Sequence, residues 1–326
     1  MKVIILGISC LLMSGFWGMP ASAENSEHLE KLLKTNECIK CDLKGANLKG
    51  KNLKGANLSE ANLSEADLTN ADLRSANLKN TQLQNTTLVE ANLEKANLEN
   101  AKMRDAKMRN AKLRGANLNY ARMRGVRLRG ADLRETKLAA TFLNEAILME
   151  ANLRLANMTG ADLTGSKLNQ ANLDSVNLQN ANLTNADLTG VFLNDADMRG
   201  ANLTNANLTG AQLVSVGLVS AKLNNANLTS TNLTRANFSY ADLSEAKLNN
   251  ANLTKAIFSL AKLIKADLTG ARLQNTYLYK ANLFHANLTG ANLEGANLVQ
   301  ANLIDANMTG VNLAGANLTD ANLPKP

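Results

Sequence analysis

Groups that usually carry catalysis are scarce in this chain, which has two histidines and three cysteines in 326 residues. Neither His28 nor His285 has a nucleophile or a paired acid arranged around it, so acid–base and nucleophilic mechanisms lack carriers. Phosphate loops of the GxxxxGK[ST] and GxGxxG kinds are missing, as is the glycine-rich calcium nonapeptide. There is no second cysteine pair and no histidine cluster to complete a tetrahedral metal site around Cys38 and Cys41. After the first residues no run approaches the ~20 apolar positions of a membrane span, so the mature chain is expected to have no transmembrane segment. Aromatics are 3% of the residues, too few for an ordinary globular core. No enzyme, cofactor or metal is expected.

What is abundant is leucine, in strict register. From Leu43 to Leu323 every fifth residue is Leu, Met or Phe, the residue two positions before it is almost always Ala, and no insertion breaks the count over fifty-seven repeats. An α-helix advances about 100° per residue, so a step of five would spread the leucines over every face. A flat strand alternates faces with period two, so a step of five would throw successive leucines to opposite sides. Both conflicts vanish if the chain bends once per repeat and four sides close a square. Each leucine then points to a common axis.

Runs such as Ala181-Asn182-Leu183-Thr184-Asn185 and Ala201-Asn202-Leu203-Thr204-Asn205 carry a family signature: a small residue, Asn or Asp, Leu, then two polar positions. Over residues 42–323 the chain resembles the pentapeptide-repeat proteins. The resemblance implies an all-β fold, a right-handed quadrilateral β-helix of about 14 coils. At the ~4.8 Å spacing of hydrogen-bonded strands the rod would be roughly 65 to 70 Å long. Such a solenoid is one domain, because it grows in one dimension. Lys51, alone in being large at a small inner position, should distort the first coils or reach outward. Phe238 and Phe258 replace Leu one coil apart and should stack inside.

The flanks differ. Residues 1–23 read as a signal peptide, with Met1-Lys2, an apolar stretch from Val3 to Trp17, and Ala21-Ser22-Ala23 before a cleavage point. Export is expected, to the periplasm or the exterior, or to a thylakoid lumen if the organism is photosynthetic. Cys10 sits too early in the apolar stretch to be a lipid acceptor. Residues 24–41 form an N-terminal cap, with a short helix opened by Ser26 that carries Leu29, Leu32 and Leu33 on one side and ends near Thr35-Asn36. Cys38 and Cys41 follow in register and should both face inward, as structural cysteines, a disulfide or, less simply, a redox pair. At the other end the tail 324–326 holds Pro324 and Pro326, which discourage further strand addition. No second helix covers that end, so a homodimer through it is expected, an arrangement with precedent in the family.

Two surface features stand out. Between Lys102 and Lys137 twelve Lys or Arg face only Asp105, Asp132 and Glu135, although the whole chain is only +7. The arginines of this band are Arg104, Arg109, Arg114, Arg122, Arg124, Arg127, Arg129 and Arg134. Arg104 lies under Arg124, Arg109 under Arg129 and Arg114 under Arg134, like-charge neighbours that repel unless screened or bound by an anion. The band suits an anionic envelope surface or an acidic protein. Nucleic acid fits the charge but neither the exported compartment nor the lack of interleaved aromatics. The second feature is apolar. Ile264, Phe284 and Ile304 recur at outward positions twenty residues apart, flanked by Ile257 over Tyr277 and Tyr279 over Val299, a candidate protein interface. Asp162, Asp187 and Asp267 sit beside the central residue, where Asn and Asp interchange, and should serve turn or ladder hydrogen bonding.

The functional expectation is a non-enzymatic exported scaffold with an unknown protein partner. Its rival is the DNA-mimicking, topoisomerase-binding role found in the family, which calls for acidic ladders and no leader. A further alternative is anion binding at an envelope surface through the band 102–137.

Overall fold

The computed structural model describes residues 26–324. The expected leader, with Cys10, and the final Pro326 lie outside them. From Glu37↔Asn57 to Asn302↔Asn322, the residue before each central position forms a parallel bridge to the one twenty residues later, without a slip. Four five-residue sides therefore make one coil. Each repeat ties to its neighbours by three backbone bonds, as where Leu183 N–H donates to Asn202 O at 2.7 Å, Asn182 N–H to Ala161 O at 2.9 Å and Asn185 N–H to Thr204 O at 3.0 Å.

The corners explain why a bend can recur at every fifth residue. Ala186 N–H donates to Leu183 O at 3.0 Å, closing a four-residue turn, and Asn185 has φ 58°. Positive φ at the third turn residue alone is the signature of a type II turn, which favours Gly or Asn there. Every fifth residue from Lys40 to Asp320 adopts this conformation, including Leu155 and Leu260. For a non-glycine residue the left-handed region costs roughly 1–2 kcal/mol. Side chains help hold the turn, since Asn182 Oδ1 accepts from Thr184 N–H at 3.2 Å and from Thr184 Oγ1 at 2.6 Å.

Inside, central leucines and small residues form one continuous buried cluster. Phe238 and Phe258 stack with ring centroids 4.7 Å apart and planes 3° from parallel. Small inner positions tolerate hydroxyls because a carbonyl is always near. Thr81, Thr86 and Thr141 donate to the carbonyls of Leu58, Leu63 and Leu118 in the coil below. Among the described residues no buried side-chain nitrogen or oxygen lacks a partner. Lys51 is exposed and keeps both its turn bond, N–H to Leu48 O at 3.1 Å, and its ladder bond, C=O accepting from Asp72 N–H at 2.9 Å, so it reaches outward and the coil is undistorted.

Helix α1, Ser26–Thr35, covers the first coil. Leu32 is fully buried and Leu29 packs against the core, but Leu33 is 47% exposed. The expectation that all three leucines face the coil is corrected there: Leu33 is turned about 100° from Leu32, away from the contact. Asn36, with φ 62°, ends the helix by donating its N–H to Leu32 O at 2.8 Å. His28 ties the helix to the rod, its Nδ1 accepting from Asp42 N–H at 3.1 Å. At the opposite end Met308, Val311, Leu313 and Leu318 are only partly covered, and Leu323 is 51% exposed. No described helix is long and apolar enough to cross a membrane.

Candidate functional site

The basic band resolves into two populations. Arginines one position after the central residue reach diagonally to an acidic corner of the coil above: Arg114 to Glu135 at 2.7 Å, Arg124 to Glu145 at 2.9 Å and Arg129 to Glu150 at 2.8 Å. Arg134 grips Asp132 within its own repeat at 2.6 Å, and Arg104 meets Asp105 at 3.2 Å. The repulsion expected between Arg104 and Arg124, Arg109 and Arg129, and Arg114 and Arg134 is therefore largely compensated by carboxylates. Arg109 alone of those six has no carboxylate partner among the described residues.

The second population lies in the bridge column. Lys102 pairs directly with Arg122, and Lys107 with Arg127, on adjoining sides of the same two coils. None of these four cations has a side-chain ion pair or hydrogen bond among the described residues, and all are exposed. Facing Lys102 and Arg122 is an open depression of about 720 Å³ bordered by Tyr120, Phe142, Asn80, Gln82, Asn100 and Glu60, whose carboxylate lies 3.6 Å from the Lys40 ammonium. It adjoins a second of about 600 Å³ that adds Arg104, Arg124 and Asn144. Tyr120 is 56% and Phe142 49% exposed. The expectation that aromatics are absent from the band is corrected: the coil brings two of them to its cations. Aligning the sequence in rows of twenty would have revealed both.

Carboxylates in the same column behave differently. No bridged pair of the ladder places Asp on Asp; Asp162 lies between Phe142 and Asn182, and Asp242 between Lys222 and Lys262. Several are held below the usual carboxylate range by their neighbours. Side-chain donors of Arg134, at 2.8 and 2.6 Å, hold the Asp132 carboxyl below the usual range despite its burial. At Asp162 burial pushes upward, but hydrogen bonds from Thr164, at 2.6 Å, and from Asn144 outweigh it and the net direction is down. Asp187 follows the same pattern with Thr189 and Asn169. The expected turn and ladder role is thus what these carboxylates perform. The expected interchange with Asn is not free, because the column never stacks two carboxylates.

The apolar residues fall in vertical columns near the open end. Tyr277 is 55%, Tyr279 37% and Ile304 39% exposed, while Ile257, Ile264, Phe284 and Val299 are half-buried. Phe284 rests edge-on against His285, with centroids 4.1 Å apart, and His285 lies 3.9 Å from Asp305. Tyr240, 62% exposed, and Leu260, 41% exposed, extend the patch along the neighbouring corner. They occupy the turn position where polar residues are usual, which is why the sequence reading passed over them. Cys38 and Cys41 are buried beneath α1 and joined by a disulfide, with Cys38 Sγ 3.3 Å from the His28 carbonyl. Among the described residues no cluster of His, Cys, Asp or Glu is arranged to hold a metal ion.

Pentapeptide repeats match the chain across residues 37–323, apart from gaps at 75, 217 and 251–255. The chain belongs to the pentapeptide-repeat family. Proteins of this family fold as right-handed quadrilateral β-helices and are generally structural or binding proteins, not enzymes. Among solved structures, a pentapeptide-repeat protein from the cyanobacterium Cyanothece is 40% identical over 28% of this chain and 63% of its own, with a TM-score of 0.28. This chain thus spans somewhat less than two thirds of that relative's length. HetL from Nostoc, involved in heterocyst differentiation regulation, is 26% identical over 92% of this chain and 96% of its own, with a TM-score of 0.22. QnrB1, a plasmid-mediated fluoroquinolone resistance protein, is 16% identical over 66% of this chain and 90% of its own, with a TM-score of 0.30. Among curated proteins none matches. The family assignment rests on the repeat match.

Proposed function

We propose that this pentapeptide-repeat protein is a non-enzymatic exported scaffold that presents the sides of a rod of about 14 coils to a protein partner. The carrying observation is the pairing of a partly uncovered last coil with apolar columns beside it, at Ile257, Tyr277, Tyr279, Val299, Ile264, Phe284 and Ile304. Apolar groups gathered in one exposed area at one end favour association. In this reading residues 1–23 direct export to the periplasm, the exterior or a thylakoid lumen. Residues 24–41 cap the first coil, 42–323 form the rod and 324–326 the tail. The disulfide between Cys38 and Cys41 suits an oxidising compartment. A homodimer through the C-terminal end is the simplest use of the surface, since open ladder groups and apolar inner residues would be covered together. The DNA-mimicking role fits poorly, because a mimic of a polyanion needs acidic columns, and no bridged pair of the ladder stacks one carboxylate on another.

Photo-crosslinking from position 277 in living cells, read by mass spectrometry, tests this reading. A self-adduct supports the homodimer, and an adduct with one other protein supports a scaffold with a distinct partner. No protein adduct overturns the assignment of this surface.

A further inference from the structure

The cation column on the opposite stretch of the rod carries an inference independent of the apolar end. Lys102↔Arg122 and Lys107↔Arg127 are the like-charged pairs of the bridge ladder, and they sit side by side. Like charges in direct register are destabilising. Nearby arginines escape that penalty through Glu135, Glu145 and Glu150, so the same coils show how compensation is done, and these four cations lack it. On one of the two sides the pair lies in the depression between Tyr120 and Phe142.

We propose that this depression binds a short acidic oligosaccharide of the uronic-acid type. Lys102 and Arg122 take its carboxylates, Tyr120 and Phe142 pack against the C–H faces of its rings, and the amides of Asn80, Gln82 and Asn100 bond its hydroxyls, while the rim carboxylate Glu60 is paired with Lys40. The charge track is short. Below Lys102 the column continues as Gln82 and above Arg122 as Phe142, while Arg104 and Arg124 already hold Asp105 and Glu145. Two free cations about 4.8 Å apart along the axis match one or two carboxylates, not the unbroken phosphates of a nucleic acid. An extended acidic peptide gains little here either. Its strongest mode is main-chain pairing with a sheet edge, and the backbone of these sides is already spent in the ladder, as where Lys102 N–H donates to Thr81 O and Met103 N–H to Arg122 O.

Calorimetric titration of the full mature chain with tetragalacturonate at low salt is the test, beside a neutral tetrasaccharide, oligothymidylate and polyglutamate. Saturable one-to-one binding of tetragalacturonate in preference to the other three is the expected result. Arg122→Gln should weaken it by about ten-fold or more, the loss of a charge-assisted bond. Phe142→Ala should weaken it several-fold. Arg272→Gln, distant from the depression, should bind as wild type. Arg122→Gln is expected to melt no lower than wild type, so its loss of binding reports the site and not unfolding. Absent binding, equal binding of the neutral sugar, tighter binding of oligothymidylate or polyglutamate, or an Arg122→Gln variant that binds normally would each overturn the proposal.

Discussion

The bridge column treats its two signs of charge in opposite ways. Along most of the rod its carboxylates are separated by Asn, Lys, Thr or aromatic neighbours, and hydrogen bonds from adjacent turns keep them ionised. On two adjoining sides of the basic band it stacks Lys102 on Arg122 and Lys107 on Arg127, and none of these four has a carboxylate ion-pair partner among the described residues, whereas on the next side Lys112 meets Asp132. Backbone geometry is identical in the two regions, so the contrast is one of side-chain choice. It shows that like charges are kept out of direct register everywhere in the ladder except at these two pairs.

The harshest way to break the comparison is to move a cation from the outer column to the inner one. Leu183→Arg buries an unpaired charge in the leucine column and should lose about 5 kcal/mol or more in urea unfolding. Wild-type stability in that variant would sink the inward placement of the central residues. A gentler break makes the acidic column imitate the basic one. Asn182→Asp places a carboxylate over Asp162 and removes the donor that Asn182 now offers Thr164 Oγ1 at 2.9 Å, so a loss of about 1 kcal/mol at neutral pH is expected. Equal melting of variant and wild type would show that the column does not discriminate.

Acid sharpens the same point. Asp132, Asp162 and Asp187 have folded values held below the ordinary carboxylate range, so their contribution is present above that range and is lost as pH falls through the depressed values. Wild type should therefore lose melting temperature on acidification below the ordinary carboxylate range. Asn182→Asp should lose less, since protonation also relieves its added repulsion. In the basic band the sign reverses. Arg122→Gln together with Arg127→Gln should raise stability at low salt by about 0.2–1 kcal/mol per relieved pair. The smallest effect is on salt dependence: bringing ionic strength to about 0.15 M, where the Debye length is ~8 Å, should raise the melting temperature of wild type more than that of the double variant. Parallel salt curves would mean the stacked cations do not repel measurably.

Much of this was legible because a period of five admits one solution. The leucines must meet, so the inner positions, the Phe238–Phe258 stack and the vertical columns follow from counting by twenty. The corners were harder. Glu60, Lys255 and Leu260 share a left-handed conformation with glycines, and nothing in their side chains announces it. The diagonal pairs were hidden because Arg114 and Glu135 lie twenty-one residues apart and belong to different positions of the repeat. Tyr120 and Phe142 were missed for the same reason, one at a corner and one in the bridge column. The cysteines were placed inward correctly, but facing inward did not by itself choose between free thiols and a bond.

The twenty-residue register also bears on how such a chain reaches its structure. Sheet proteins ordinarily fold slowly because their strands pair across long loops. Here each bridge spans 20 of 326 residues, a relative contact order of about 0.06, lower than is usual for helical bundles. Each coil can close on the one just made, so growth is a zipper whose first tooth is the helix-covered coil that leaves the ribosome earliest. A protein with nearly no helix should assemble with the kinetics of one made of helices.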